Sequence, residues 1–244
     1  MLRVRYGLLV AVTAMATVGA AAVFSAEARH RAAIMRADPE VILTQPDLRH
    51  ATLVLGRDVF VRRCASCHGA GRGDPARGIP DLTDHDHLYG SGQVAEIEQI
   101  VLHGIRSGDP RGWHLAAMPG YAQPLPYPSE PAIKPLSPTD VADVVKYLRR
   151  GHATEPVAAA RGRAIYDGRG ACWDCHGPDG AGNPAIGAPN LNDTIWLYGG
   201  TSAALTATLE RGRAGNCPAF ARVVSPVEAR SVAVYVAGLS RGLS

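Results

Sequence analysis

Two five-residue runs hold the residues best suited to do chemistry, Cys64-Ala65-Ser66-Cys67-His68 and Cys172-Trp173-Asp174-Cys175-His176. Two thiols three positions apart can each form a thioether with a vinyl group of one porphyrin, and a histidine directly after the second thiol comes up beneath the ring as an iron ligand. The pattern reads as c-type haem attachment, once in each half of the chain. Cys64, Cys67, Cys172 and Cys175 are then the attachment thiols, and His68 and His176 the proximal ligands. A thioredoxin-like redox pair needs no histidine after its second cysteine, and no βαβ pattern surrounds either run. A structural zinc site would have to join two knuckles 108 residues apart, with a histidine after each. A disulfide framework explains neither histidine. The expected cofactors are two covalently bound haem c groups.

Haem iron takes a second axial ligand whose type tunes its potential. In the first half Met118, in a Met-Pro turn 50 residues past His68, is the candidate. A soft thioether opposite His68 would raise the potential. His114 is the reserve. After the inter-domain linker the chain has no methionine and no histidine except His176. There the corresponding residue is Cys217, the odd cysteine of five, which the register sets opposite His176 as a thiolate. A small buried hydrophobe and an intermolecular disulfide are the competing readings of Cys217, and Tyr198 is a more distant ligand. Asp84-His85-Asp86-His87 reads as a solvated turn of charge rather than a separate metal site.

The elements that must position these residues repeat. Gly78-Ile79-Pro80-Asp81-Leu82, Leu88-Tyr89-Gly90, His103-Gly104 and Met118-Pro119-Gly120-Tyr121 follow the first motif. Gly187-Ala188-Pro189-Asn190-Leu191, Leu197-Tyr198-Gly199, Arg211-Gly212 and Cys217-Pro218-Ala219-Phe220 follow the second. The haem histidine and the glycine after the middle helix are 36 residues apart in both halves (104 − 68 and 212 − 176). The spacing predicts helices over about 53–63 and 157–166, and over about 94–103 and 202–211. A closing helix follows in each half, opened by Ser137-Pro138-Thr139-Asp140 and by Ser225-Pro226-Val227-Glu228. Apolar stripes at helical spacing continue them: Val141, Val144, Val145 and Leu148, then Val232, Val236 and Leu239. Five prolines between Ala122 and Pro135 predict an extended surface loop. The fold class is all-α: two tandem class I cytochrome c domains, 48–151 and 157–244, joined by a linker at 152–156.

Composition agrees. The 244 residues are 46% hydrophobic and 19% charged, which excludes a disordered chain and a polytopic membrane protein. A net charge of +3 without a basic run argues against nucleic-acid binding. Aromatics at 6% are thin for two small cores, and two haems would supply the missing bulk. Thioether haem attachment implies export. Arg3 and Arg5 precede an uncharged run, Gly7 to Ala26, whose 20 residues at about 1.5 Å each match a bilayer core of about 30 Å. Ala26-Glu27-Ala28 also offers a cleavage site, so residues 1–28 read as a transmembrane anchor or a signal segment, followed by a linker at 29–47. The bulk of the chain would then face the periplasm, on the inner membrane if anchored and soluble if cleaved.

From about Leu48 to Leu239 the chain resembles the dihaem c-type subunit, subunit III, of cbb-type haem-copper cytochrome oxidases. The resemblance is carried by His103-Gly104-Ile105-Arg106-Ser107-Gly108-Asp109-Pro110, by Met118-Pro119, by the helix Val141–Leu148, and by the stretch from Gly187 to Gly200. It implies an N-terminal membrane anchor and two periplasmic cytochrome c domains. It implies that main-chain oxygens of Pro80 and Pro189 orient His68 and His176, and that electrons pass to a membrane oxidase or another redox complex. The family's second-domain ligand is Met where this chain has Cys217. Its Trp-rich turn is here His87-Leu88-Tyr89.

Gly238-Leu239-Ser240-Arg241-Gly242 spells a nucleophile elbow but ends a helix with no strand before it. Two function classes remain. In one, a non-catalytic electron-transfer protein or oxidoreductase subunit relays single electrons through a His/Met and a His/Cys haem. In the other, a dihaem oxidoreductase of the thiosulfate dehydrogenase kind transforms a sulfur compound at the His/Cys haem. No cluster of acid–base groups flanks Cys217 in sequence, which favours relay.

Overall fold

The computed structural model describes residues 25–125, 134–151 and 153–243. The first 24 residues of the expected anchor and the centre of the proline-rich loop lie outside them. Among the described residues no helix is long and apolar enough to cross a membrane.

Among the described residues beyond the N-terminal helical stretch 25–36, the frame is built by α1 (Pro46–Arg63), α2 (Val94–His103), α3 (Pro138–Leu148), α4 (Pro156–Asp167), α5 (Ser202–Arg211) and α6 (Pro226–Ser240). The haem motifs form short helical turns, Ala65–His68 and Cys172–His176, after α1 and α4. Among the described residues only isolated bridges, and no strands, accompany the helices. Each closing helix starts where its sequence predicts. The Ser137 and Asp140 side chains reciprocally cap the start of α3, and Ser225 and Glu228 do the same for α6. Proline follows each capping serine, where its missing N–H costs nothing.

Two cytochrome c units form in an all-helical frame, as expected, and they exchange their closing helices. Helix α3, the closing helix of the first half, packs against α4 and α5 of the second half. Helix α6, which ends the chain, packs against α1 and α2. One unit is thus continuous, running from the Met118 segment through α3, α4 and α5. The other joins α1 and α2 to the Cys217 segment and α6. Both are all-α cytochrome c units with equivalent contacts. Gly56 of α1 lets the backbone of α6 approach so closely that a Cβ would lie 2.1 Å from the Ser231 carbonyl oxygen. Gly162 of α4 does the same for α3, where a Cβ would meet the Asp143 carbonyl oxygen at 2.0 Å. One turn further on, Phe60 lies against Tyr235 and Tyr166 against Tyr147, with ring centroids 5.3 and 5.5 Å apart.

Charge selects this pairing. Asp143 is buried on α3 and takes a two-pronged bond from Arg161 of α4, at 2.6 and 2.9 Å. The residue of α1 in the place of Arg161, one before the glycine, is Leu55, so a tandem α1–α3 pair would strand the carboxylate. Glu98 of α2 is likewise buried and meets Arg230 of α6 at 2.5 Å. By the register of the capping boxes, the residue of α3 in the place of Arg230 is Ala142. Losing one partner of a buried pair costs about 3–5 kcal/mol. Connectivity agrees, because only seven residues (149–155) separate α3 from α4, which pack on each other as sequence neighbours.

Candidate haem sites

Each proximal histidine is held by a carbonyl from the Gly-x-Pro loop that follows its motif. His68 Nδ1 lies 3.4 Å from the Pro80 oxygen, and His176 Nδ1 lies 3.0 Å from the Pro189 oxygen. A carbonyl only accepts, so Nδ1 carries the proton and Nε2 keeps its lone pair. The loops are tied back by matching bonds, Leu82 N to Gly71 O and Leu191 N to Gly180 O, both 2.7 Å. Burial pulls both imidazoles below the ordinary histidine range, partly offset by the proline carbonyls, which keeps them neutral.

A single cavity of about 750 Å³ runs between the two motifs. Cys67, His68 and Cys217 line it, as do Cys175, His176 and Met118. The donor set fits two haem c groups. The thiols at the motifs form no disulfide, and among the described residues the histidine hydrogen bonds run through Nδ1 and leave Nε2 free. Burial pushes the Cys64 thiol up to about 11, and Cys217 likewise. The same residues form no other three-ligand cluster for a metal ion among those described.

The sixth-ligand candidates sit in the opposite halves from those expected. Met118 pairs through its backbone with Arg213, at 2.9 and 2.8 Å, just past the end of α5. Its side chain packs on the core cluster that contains Cys172, Tyr166 and Leu209. Cys217 pairs with Ile105 by two bonds of 2.9 Å, just past the end of α2. Its thiol lies near those of the first motif: after burial, the charge of Cys217 adds to the rise at Cys64, and that of Cys67 to the rise at Cys217. The flanking bonds follow suit: Tyr121 N donates to Leu209 O, and Phe220 N to Val101 O. The structure thus brings Cys217 beside the motif of His68 and Met118 beside the motif of His176. His114 is occupied by the Gly112 carbonyl at 2.5 Å. Tyr198, considered for the second motif, instead lies against Gly78 of the first, where a Cβ would meet its ring at 2.0 Å. Tyr89 returns the contact at Gly187 of the second motif's loop, at 2.2 Å. Asp86 of the Asp84–His87 turn lies beside Asp193, and burial foremost, then that charge, raises its carboxyl above the usual range.

Sequence reasoning missed Arg106, whose side chain joins segments from both halves. Its signal was its place within the stretch His103–Pro110, which carried the family resemblance, but no local pattern showed what it would touch.

Two C-x-x-C-H sites on one cavity, in an all-helical frame of paired capped helices, define a dihaem cytochrome c. Comparison with known proteins narrows the class. The family model described as cytochrome c matches residues 53–151, and that described as cytochrome c oxidase, cbb3-type, subunit III matches residues 157–236. The chain is 38% identical over 206 residues to the cbb3-type oxidase subunit FixP of Azorhizobium caulinodans, covering 83% of this chain and 65% of that one. It is 36% identical over 211 residues to FixP of a Bradyrhizobium species, covering 86% and 69%. It is 35% identical over 219 residues to the subunit CcoP of Cereibacter sphaeroides, covering 89% and 71%. The chain spans about two thirds of the length of these relatives. It belongs to the FixP/CcoP family of dihaem c-type cytochromes, and its cofactors are two covalently bound haem c groups.

Proposed function

We propose that this protein relays single electrons between a donor and the core of a cbb3-type membrane oxidase, from the periplasmic side of the inner membrane, with residues 1–28 as its anchor. The observation that carries the relay is the one cavity lined by both haem motifs, which leaves the two groups no intervening domain wall. The relatives' names, as oxidase subunits, support the partner.

Bound haem c supplies reversible one-electron chemistry at iron. The chain's own residues set its direction. His68 and Cys217 serve the first motif, and His176 and Met118 the second. Bound to haem iron, Cys217 would lose its proton, and the thiolate would place a negative charge that favours ferric iron and holds its site low. Met118 places none and holds its site high. Axial ligands move haem potentials over about 0.8 V, so a gap of a few hundred millivolts is in range. At about 59 mV per tenfold for one electron, that gap makes flow from the first motif to the second favourable by several orders of magnitude. The crossed pairing thus reverses the direction that tandem pairing would give.

Purified holo-protein tests the reading. Its intact mass exceeds the polypeptide by two haems, redox titration resolves two separated waves, and a membrane pull-down recovers oxidase core subunits. Two overlapping high-potential waves would overturn the ligation. Turnover of thiosulfate or tetrathionate would overturn relay in favour of sulfur chemistry. N-terminal sequencing that begins just past Ala28 would overturn the anchor.

A further inference from the structure

Arg106 is the side chain that touches both sixth-ligand segments. Its Nε donates to the Gly215 carbonyl at 2.6 Å, two residues before Cys217. Its Nη1 donates to the Ala116 carbonyl at 2.8 Å, two residues before Met118. The same nitrogen reaches the Tyr89 hydroxyl at 2.8 Å, and the guanidinium lies 5.8 Å from that ring's centre. Tyr89 in turn packs on Gly187, at the head of the loop whose Pro189 carbonyl holds His176. Arg106 also lines the cavity, and among the described residues no carboxylate pairs with it. Its backbone adopts φ +47°, a left-handed conformation that strains a non-glycine residue and persists where surroundings over-determine it. The repeat places Ala214 at the equivalent position, so the second half has no matching arginine.

We infer that Arg106 is a positioning residue shared by the two haem sites: one guanidinium fixes the segments that present Cys217 and Met118, and thereby couples the two sites. A planar fork of donors can hold two carbonyls at once, which an ammonium cannot do with the same geometry. The inference rests on the crossed ligation proposed above. Because one guanidinium bonds both segments, loosening it releases both ligands rather than one. Its charge would add a second effect, since a cation lining the cavity shared by both motifs would disfavour ferric haem there and raise both potentials.

The test uses holo-protein carrying Arg106→Gly, which removes the side chain and suits φ +47°, beside Arg106→Lys, which keeps the charge. The readouts are carbon monoxide binding to the reduced protein, counted per haem, and redox titration. Carbon monoxide binding rises from neither haem to both in Arg106→Gly, and both waves move down together. Arg106→Lys restores the charge-dependent part of the potentials yet still admits carbon monoxide at one haem or more. Opening of a single haem, or of none, in Arg106→Gly would overturn the shared role. Full restoration by Arg106→Lys would overturn positioning in favour of charge alone. Cys217→Ala and Met118→Ala separate the two readings. If each opens its own haem while Arg106→Gly opens neither, only the clamp fails. If neither opens a haem, the ligation fails and the clamp with it.

Discussion

Substituting alanine for Gly56 or for Gly162 probes which helices hold which ligand. At Gly56 the new Cβ would lie 2.1 Å from the Ser231 carbonyl oxygen and 2.7 Å from Tyr235 Cβ. Ordinary carbon–oxygen contacts fall near 3.3–3.6 Å, so α1 and α6 must part by about 1 Å. The obstacle is backbone and cannot rotate away, which puts the cost near the upper end of overpacking, about 3 kcal/mol. Alanine recovers about 1 kcal/mol of helix propensity over glycine. The net destabilisation is about 2 kcal/mol, or roughly 4–8 °C in Tm for a chain of this size. The haem readout is sharper. Helix α6 follows Cys217 directly, so Gly56→Ala loosens the Cys217 segment: the low-potential wave shifts and carbon monoxide enters that haem, while the Met118 wave stays. Gly162→Ala strains α4 against α3, with a Cβ 2.0 Å from the Asp143 carbonyl oxygen, and disturbs the Met118 wave instead. A Gly56→Ala protein that lost its Met-ligated wave and kept the other would refute the crossed assembly. Unchanged melting in both variants would refute the close approach itself.

Three other outcomes are expected. Hydrogen bonds from Ser225 foremost, then the Arg62 side chain, hold the Glu228 carboxyl down at about 2, and Arg169 followed by Ser137 holds Asp140 there too. A carboxyl depressed on folding stabilises above its unfolded value and loses that contribution as pH falls, so stability should decline between about pH 4.5 and 2. Urea titrations across that window check this, and Asp140→Asn with Glu228→Gln should flatten it at about 1 kcal/mol per cap. Replacing Arg230 with Met strands Glu98 and should cost about 3–5 kcal/mol, whereas Arg230→Met with Glu98→Leu should recover most of it in thermal melts. Changing Cys217 to Met should raise the low wave towards the high one in redox titration. A wave unmoved by that change would mean that Cys217 is only packed.

Much of the site was legible from local pattern. C-x-x-C-H is contiguous, so attachment thiols and proximal histidine are set by neighbours in sequence. The Gly-x-Pro loops lie a dozen residues on, and their carbonyls reach the histidines without long-range help. Caps, apolar stripes and the 36-residue spacing likewise marked the helices to within a few residues, except that α1 starts at Pro46 rather than near Leu53. Met118 and Cys217 could be proposed as ligands from their side-chain chemistry and their matching places in the repeat.

What sequence could not reveal was which copy each segment serves. A repeat is degenerate: Gly56 and Gly162, Phe60 and Tyr166, Tyr147 and Tyr235 offer the same contacts in either pairing, and periodicity cannot choose between them. The choice fell to terms that act only in three dimensions. The short connection from Leu148 to Pro156 makes α3 and α4 a local pair, which leaves the chain's two ends to pair as α1 and α6. Buried Asp143 and Glu98 then find Arg161 and Arg230 in this arrangement, and would face Leu55 and Ala142 in the other. Arg106 gains its reach from the same folding event, because the carbonyls of Gly215 and Ala116, 99 residues apart in the chain, come to one guanidinium only when the halves cross.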